Sequence, residues 1–131
     1  MDHIDCKAKE NTSIEGHRFA VVGCDLQTWF LMNRPLRNKF ATETLNSFRA
    51  WRGKERVYHV HSDGSGELAG VCNYEGITHD ITEPGDPQSN GIAEGFVQIS
   101  KAGTSSLLQH AGLTHPYWCF AFRYHEVAWN I

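Results

Sequence analysis

The hydrophobic and polar positions of the chain predict strands in its first part and helices toward its end. Residues 3–6, His-Ile-Asp-Cys, form a short candidate strand, residues 11–16 are rich in turn formers, and residues 18–24 form a nearly continuous apolar run. Such a run is typical of a strand that is covered on both faces. Residues 28–32 are again apolar after the polar residues 25–27, so the last two apolar segments are predicted to pair as an antiparallel hairpin.

Apolar residues then recur at helical spacing in residues 41–51. Ala41, Leu45 and Phe48 lie at i, i+4 and i+7, and Gly53 follows as a stop signal. Further strands are predicted at residues 56–61 and 76–81, and further helices at residues 92–109 and 116–129. A hairpin, a helix, two strands and two helices in this order predict an α/β domain with a mixed sheet.

The composition is that of a globular domain. The 131 residues are enough for one domain with its own core, and the hydrophobic and charged fractions are 40% and 21%. The formal net charge of −3 argues against a protein that binds nucleic acid through its overall charge. A local basic strip, or bound metal ions that contact phosphate, would still allow such binding. No apolar run is long enough to span a bilayer, and the charged N-terminus is not expected to be a signal peptide.

The cysteines give no metal or redox signal. Cys6, Cys24, Cys72 and Cys119 are widely spaced and contain no Cys-x-x-Cys pair, so neither a zinc site nor a redox motif is predicted. Free thiols in a reducing compartment are expected instead.

Three carboxylates lie at positions where catalytic and binding side chains are commonly found in α/β folds. Asp5 and Asp63 come at the ends of predicted strands, and Glu94 lies in the first turn of a helix, where the helix dipole favours a carboxylate. Gln98 and Lys101 follow Glu94 on the same helix face. Three converging oxygen ligands would suit Mg²⁺, although an ordinary N-terminal helix Glu and a solvated Lys explain the same pattern without a site.

Other candidates have simpler explanations. His59, His61 and Asp63 fall at period two, so they share a strand face and could bind a transition metal, but a structural role for His61 is the simpler reading. The aromatic residues of the predicted helices are better explained by the core or a dimer face than by base stacking: Trp51, Trp118, Phe120, Phe122 and Trp129.

The order of these motifs resembles the catalytic core of retroviral and retrotransposon integrases, particularly the copia type, within the ribonuclease H-like superfamily. Residues 3–5, His-Ile-Asp, resemble the first catalytic strand of that family, and residues 60–63, Val-His-Ser-Asp, resemble the second. Residues 87–94, Pro-Gln-Ser-Asn-Gly-Ile-Ala-Glu, are the most specific match, because the third carboxylate of the family ends such a run. The matching positions extend over almost the whole chain.

The resemblance implies a fold and an activity. The fold would be a mixed five-stranded sheet, with the first three strands antiparallel and the last two parallel, flanked by helices. Residues 1–131 would be a single catalytic core, without the zinc-binding N-terminal part and the C-terminal DNA-binding part of similar full integrases. The activity would be metal-dependent nicking of an element's DNA end, followed by strand transfer into target DNA.

The resemblance also assigns roles to residues. Asp5, Asp63 and Glu94 would be the catalytic residues and would hold two Mg²⁺ or Mn²⁺ ions, with Asp5 shared between the two. The remaining assignments are DNA contacts for Lys101, Gln98 and Asn90 and a supporting role for His61. Asp25 matches an acidic position that is not a metal ligand in the family, and it is predicted to be a turn residue.

The implied partners are DNA, both element ends and target, and a second copy of the chain. The predicted dimer surfaces are residues 41–51 and 107–118. No membrane association is expected, and the implied location is intracellular, in the nucleus or in a retroelement particle.

Some positions depart from the family pattern. The segment from Asp63 to Glu94 is shortened, the expected place of the shortening is residues 70–75, where a short helix is usual, and Gly95 replaces an Arg. Gly95 and Gly103 are each expected to cost ~1 kcal/mol of helix stability relative to Ala. Two alternatives therefore stay open: a degenerate or domesticated core that binds DNA or protein without chemistry, and a ribonuclease H-like nuclease acting on RNA–DNA hybrids or branched DNA.

Overall fold

The computed structural model describes residues 1–6, 11–83 and 91–131. Five strands and four α-helices lie in these three ranges, and a 3₁₀ turn, His115–Tyr117, precedes the last helix. The elements in chain order are β1 (Asp2–Asp5), β2 (Phe19–Cys24), β3 (Leu31–Leu36), α1 (Ala41–Arg52), β4 (His59–Ser62), α2 (Gly66–Glu75), β5 (Thr78–Ile81), α3 (Gly91–Ala111) and α4 (Trp118–Asn130).

The strands confirm the predicted mixed α/β fold. Strands β1, β2 and β3 form an antiparallel sheet in that order, and β4 and β5 form a parallel pair. The two sets of strands are separate hydrogen-bonded sheets. The N-terminal ammonium of Met1 donates to the carbonyl of His61 at 2.8 Å, which sets the beginning of β1 beside β4.

Helices cover both faces of the antiparallel sheet. One core group lies between this sheet and helices α3 and α4: Ala20, Val22, Leu31, Phe96, Val97, Leu108, Trp118, Cys119, Ala121 and Phe122. The opposite face contributes Val21, Met32 and Leu36, which pack with Leu68 of α2. Strand β2 is therefore buried on both faces, as its continuous apolar run predicts.

Strand β3 begins three residues later than predicted. The carboxylate of Asp25 accepts a hydrogen bond from the Gln27 N–H at 3.1 Å and another from the Thr28 hydroxyl at 2.6 Å. Trp29 then adopts a left-handed conformation with φ 61°, which no strand residue can keep. The turn therefore extends to Phe30, and the prediction that Asp25 is a turn residue is confirmed.

This turn makes a testable prediction about Asp25. The Thr28 hydroxyl and the Gln27 N–H hold the pKa of the Asp25 carboxyl below its usual value. The stabilisation they give is present above the ordinary pKa of Asp and is lost as the pH falls through the lower folded value. In Thr28→Val the pKa should rise toward the ordinary value, as measured by NMR titration of the carboxyl carbon. An unchanged pKa would show that the hydroxyl does not hold this carboxylate.

Helix α2 is present although the sequence reading gave no helix between β4 and β5. The glycines of residues 64–66 predict only the end of a strand, whereas Leu68, Val71 and Cys72 are buried at i, i+3 and i+4 of a helix. At Gly70, an added Cβ would lie 3.3 Å from the Cβ of Ala41, so this glycine permits close approach of α1 and α2. A helix therefore covers residues 70–75, where the sequence predicts none, and the position of the missing residues between Asp63 and Glu94 stays a prediction.

The outer edge of the antiparallel sheet is covered by polar side chains of α4. The N–H of Leu31 donates to Oδ1 of Asn130 at 2.7 Å, and the N–H of Asn33 donates to Oε2 of Glu126 at 2.7 Å. Pro35 is the next residue of β3 whose backbone faces this outer edge. As a proline it has no N–H that would need a hydrogen-bond partner. The last helix thus supplies the partners that an edge strand lacks.

Helices α3 and α4 pack closely at Gly103. A Cβ added to this residue would overlap the ring of His125, whereas one added to Gly95 would meet no atom of the described residues within 4 Å. Gly103 is therefore needed for close packing, whereas Gly95 is not. The predicted loss of helix stability relative to Ala applies in full only to Gly95. Among the described residues, no helix has the length and apolar character needed to cross a lipid bilayer.

Candidate functional site

Asp5 is the last residue of β1, and its side chain is exposed. It lies opposite Phe19 of β2, and the pairing continues one residue further because the Cys6 N–H donates to the carbonyl of Arg18 at 3.0 Å. The backbone of Asp5 is thus held by the sheet while its carboxylate faces solvent.

Asp63 follows the last residue of β4 and is partly buried. Its Oδ1 accepts a hydrogen bond from the Ser65 N–H at 3.3 Å, in the turn that leads into α2. Its backbone carbonyl accepts the hydroxyl of Ser62 at 2.8 Å, and that hydroxyl also lies 2.6 Å from Nε2 of His79 on β5. Asp63 is therefore anchored to both strands of the parallel pair.

Glu94 lies in the first turn of α3 with its side chain exposed, as predicted. Phe96 and Val97, which follow it, are buried against the antiparallel sheet and fix this end of the helix. Gln98 and Lys101 are also exposed on α3. Asn90, the third predicted DNA contact, lies outside the described residues.

Helix α3 packs against β1 and β2 and brings Lys101 near the end of β1. Burial raises the pKa of the Cys6 thiol, the adjacent Asp5 carboxylate raises it further, and the Lys101 ammonium lowers it. A cation on α3 and a carboxylate on β1 thus act on the same thiol. Glu94 precedes Lys101 by two helical turns, about 10 Å along the axis.

The three predicted catalytic carboxylates do not form a closed cluster. Among the described residues, Asp5, Asp63 and Glu94 are not a group whose ligand oxygens all lie within 4.8 Å of one another. None of them makes an ion pair with a described cationic side chain. Carboxylates that approach without a cation repel one another, so separated and unneutralised groups are what a metal-free arrangement should have. Their oxygen donors suit a hard divalent ion.

The histidines of β4 bind β5 instead of forming a metal group with Asp63. The His59 ring contacts the carboxylate of Asp80, and Nε2 of His61 lies 3.1 Å from Oγ1 of Thr82. Within the described part of the chain, these histidines belong to no metal-ligand group. The open alternative of a transition metal at His59, His61 and Asp63 therefore has no support in the geometry.

His3 is a neighbour of the site that the sequence reading missed. Its Nε2 lies 3.2 Å from Oγ1 of Thr44. Burial lowers the pKa of His3 and Lys39 lowers it further, whereas Glu67 and Asp63 raise it. A partly buried imidazole thus lies within electrostatic reach of Asp63. The signal in the sequence was the period-two spacing of His3 and Asp5 on one strand.

The fold is that of a retroviral integrase catalytic core. The structure matches the crystal structure of the catalytic core domain of BIV integrase with a TM-score of 0.66, over 98% of this chain and 79% of that chain. The two sequences are 19% identical.

The sequence relatives are retrotransposon proteins. The chain is 29% identical over 117 residues, 84% of its length, to the retrovirus-related Pol polyprotein from transposon RE2 of Arabidopsis thaliana. It is 28% identical over 122 residues, 86% of its length, to that from transposon TNT 1-94 of Nicotiana tabacum. The chain spans only 8% and 9% of these two relatives. No family model matches the chain.

Together, the sequence relatives and the fold confirm the resemblance inferred from the motifs. The chain is similar in sequence to retrotransposon Pol polyproteins and has the fold of a retroviral integrase catalytic core.

Proposed function

We propose that this chain is the catalytic core of a retroelement integrase, a polynucleotidyl transferase that nicks element ends and transfers them into target DNA. The observation that carries the proposal is the position of three carboxylates on this fold, none of which is paired with a cationic side chain in the described ranges: Asp5 at the end of β1, Asp63 directly after β4, and Glu94 at the start of α3. The relationship to retrotransposon Pol polyproteins supports the same function.

The proposed reaction is two successive displacements at phosphorus. Water attacks a phosphodiester near the element end, the P–O3′ bond breaks, and the departing oxygen takes a proton to become a 3′-hydroxyl. This hydroxyl then attacks a target phosphodiester, forming one P–O bond while another P–O3′ bond breaks. Each step exchanges one P–O bond for another, so no oxidant or reductant is needed.

The proposed roles follow from the chemistry of the side chains. Asp5 and Asp63 would hold one Mg²⁺ or Mn²⁺ ion, and Glu94 together with Asp5 would hold the second. Such a pair of ions, when bound, stabilises the attacking and leaving oxygens of the displacement. Lys101 would contact a DNA phosphate from the same helix as Glu94, because an exposed ammonium is a good partner for that group.

The remaining proposed assignments concern support and assembly. Gln98 would hydrogen-bond the DNA backbone beside Lys101, and His61 would hold the end of β4 against β5 through its contact with Thr82. We place the contact with a second copy on α1 and on residues 107–118. The DNA ends and target would be met in the nucleus or in a retroelement particle.

A second candidate is a core that keeps the fold without the chemistry. The exposed Gly95 beside Glu94 favours it, because this residue supplies no side chain for DNA. Such a domain would bind DNA or a protein partner and would not respond to Mg²⁺ or Mn²⁺.

Calorimetric titration with Mn²⁺ separates the two candidates. The proposed function predicts binding at millimolar Mn²⁺, and Glu94→Gln should lose a site because a neutral amide is a weaker ligand than a carboxylate. The matched control is Glu83→Gln, which removes the same charge from an exposed position just before residues 84–90. Equal binding by Glu94→Gln and wild type would remove Glu94 from the site. No binding by wild type would favour the second candidate.

A further inference from the structure

A second set of ligand atoms lies away from the three carboxylates. Glu15, His17 and Cys119 each place one ligand atom so that all three lie within 4.8 Å of one another. Oε2 of Glu15 is 3.7 Å from Nδ1 of His17 and 3.7 Å from Sγ of Cys119. Cys119 is fully buried and His17 nearly so, whereas the Glu15 side chain is 37% exposed.

These distances are close to those between the ligands of a tetrahedral zinc ion. Zinc bonds of about 2.0–2.3 Å to nitrogen, oxygen and sulfur place neighbouring ligand atoms about 3.3–3.6 Å apart. The two 3.7 Å distances exceed this range by little. A thiolate and an imidazole select zinc and related ions over Mg²⁺, which prefers oxygen ligands. Both the spacing and the chemistry thus point to the same class of ion.

We propose that Glu15, His17 and Cys119 form a binding site for a zinc-type transition-metal ion, with a fourth position open to water. The open side is a surface depression of about 440 Å³ that Glu15 and His17 line and that Cys119 does not reach. This site is distinct from the proposed catalytic site in its residues and in its metal preference.

The hydrogen bonds of the ligand atoms can rearrange around such an ion, because a bound metal takes the place of a proton on its ligands. The Cys119 thiol donates to Oε2 of Glu15, and the ion would replace that proton. The Ser13 hydroxyl, 3.0 Å from Nδ1 of His17, would give up this contact while it keeps the hydrogen bond from the His17 N–H.

Arg123 would compete with the ion for the carboxylate of Glu15. Its guanidinium donates to Oε2 of Glu15 at 3.1 Å, so in the metal-free chain it occupies the carboxylate that the ion needs. The Arg123 side chain is 43% exposed, which allows it to turn into solvent when the ion binds. Removal of its charge should therefore strengthen metal binding, although it breaks an ion pair of the metal-free fold.

The ion would join two parts of the chain that are about a hundred residues apart in sequence. The turn that carries Glu15 and His17 already contacts the start of α4, because the Ile14 N–H donates to the carbonyl of Pro116 at 2.8 Å. A metal bond to Cys119 would tie the same two segments more strongly. Zinc should therefore raise the melting temperature of the chain, since a ligand that binds only the folded state stabilises it.

Titration with Co²⁺ tests the site directly, because a Co²⁺–thiolate bond gives a near-ultraviolet charge-transfer band. The wild-type chain should show this band, and Zn²⁺ should abolish it by displacing Co²⁺. Cys119→Ser should lose the band, whereas Cys24→Ser should keep it, because burial raises the pKa of the Cys24 thiol to about 11 and leaves it a poor ligand at neutral pH.

The decisive variants are exposed enough to leave the fold intact. Glu15→Gln should weaken Co²⁺ and Zn²⁺ binding by more than roughly 10-fold, since loss of a group that only supports a ligand already costs that much, and Arg123→Gln should strengthen it. Glu55→Gln, an exposed glutamate that does not line this depression, is the charge-matched control and should bind as wild type does. If Cys119→Ser fails to fold by circular dichroism, Glu15→Gln and Arg123→Gln decide the question.

Three outcomes would overturn the proposal: no Co²⁺ or Zn²⁺ binding by wild type, a thiolate band that survives in Cys119→Ser, or equal affinity in Glu15→Gln and wild type. None of them bears on the integrase function, because Mn²⁺ binding at Asp5, Asp63 and Glu94 is measured separately. In Glu15→Gln the Mn²⁺ affinity should stay unchanged.

Discussion

Asp63→Asn should lower metal-dependent DNA nicking by roughly 10²-fold or more, because a metal clamp supplies several kcal/mol of transition-state stabilisation. The amide keeps the size of the side chain and an oxygen that can accept the Ser65 N–H, so the turn into α2 should survive. Conversion of supercoiled plasmid to its nicked form in Mn²⁺ measures this loss without any knowledge of the element's end sequence.

The matched control is Asp25→Asn. Asp25 is also an aspartate that directly follows a strand, but it closes a turn through Thr28 and Gln27 and is not expected to hold metal. Its substitution should leave the nicking rate within about 2-fold of wild type once the folded fractions are matched. A nicking activity that survives Asp63→Asn, or that is lost equally in Asp25→Asn, would argue against the assignment of Asp63.

Gly103→Ala should destabilise the fold by about 1–3 kcal/mol, the usual cost of adding a methyl group to a packed interface. Its Cβ would overlap the ring of His125, so α3 and α4 would have to separate or the ring would have to leave. His125 also contacts the Asn33 side chain at 3.2 Å, so its displacement would disturb β3 as well. Urea unfolding followed by circular dichroism gives the free energy.

Gly95→Ala is the internal comparison on the same helix. An added Cβ there meets no atom within 4 Å in the part of the chain that the structure describes, so the substitution should raise the free energy of unfolding by up to about 1 kcal/mol through helix propensity. The two substitutions are chemically identical and should have opposite signs. If Gly103→Ala is as stable as Gly95→Ala, the close packing of α3 on α4 is not the reason for Gly103.

Periodic patterns predicted the elements that have strong patterns of their own. Helix α1 shows apolar spacing over several turns, and β2 is apolar throughout, so both lie where the sequence places them. Helix α2 was missed because its glycines suggested a break, and Gly70 is explained only by its approach to Ala41. The start of β3 was set too early because nothing in the sequence marks the left-handed conformation of Trp29.

Local sequence patterns predict on which element each proposed site residue lies, but not how far apart these residues are. The positions of Asp5, Asp63 and Glu94 at element ends follow from local patterns, but their distances depend on how three separate elements pack. Their catalytic assignment stays a prediction. The cluster of Glu15, His17 and Cys119 gave no signal, because its cysteine is about a hundred residues from its other two ligands and no cysteine pair marks it.

The cover that α4 places on β3 has a consequence for how copies of this chain can associate. An open strand edge is a template on which another chain can add a strand, which leads to domain swapping or fibres. Here the outward N–H groups of Leu31 and Asn33 are already bonded, and Pro35 offers none. This edge is therefore closed to β-augmentation, and any self-association on this side of the molecule must be through helical surfaces.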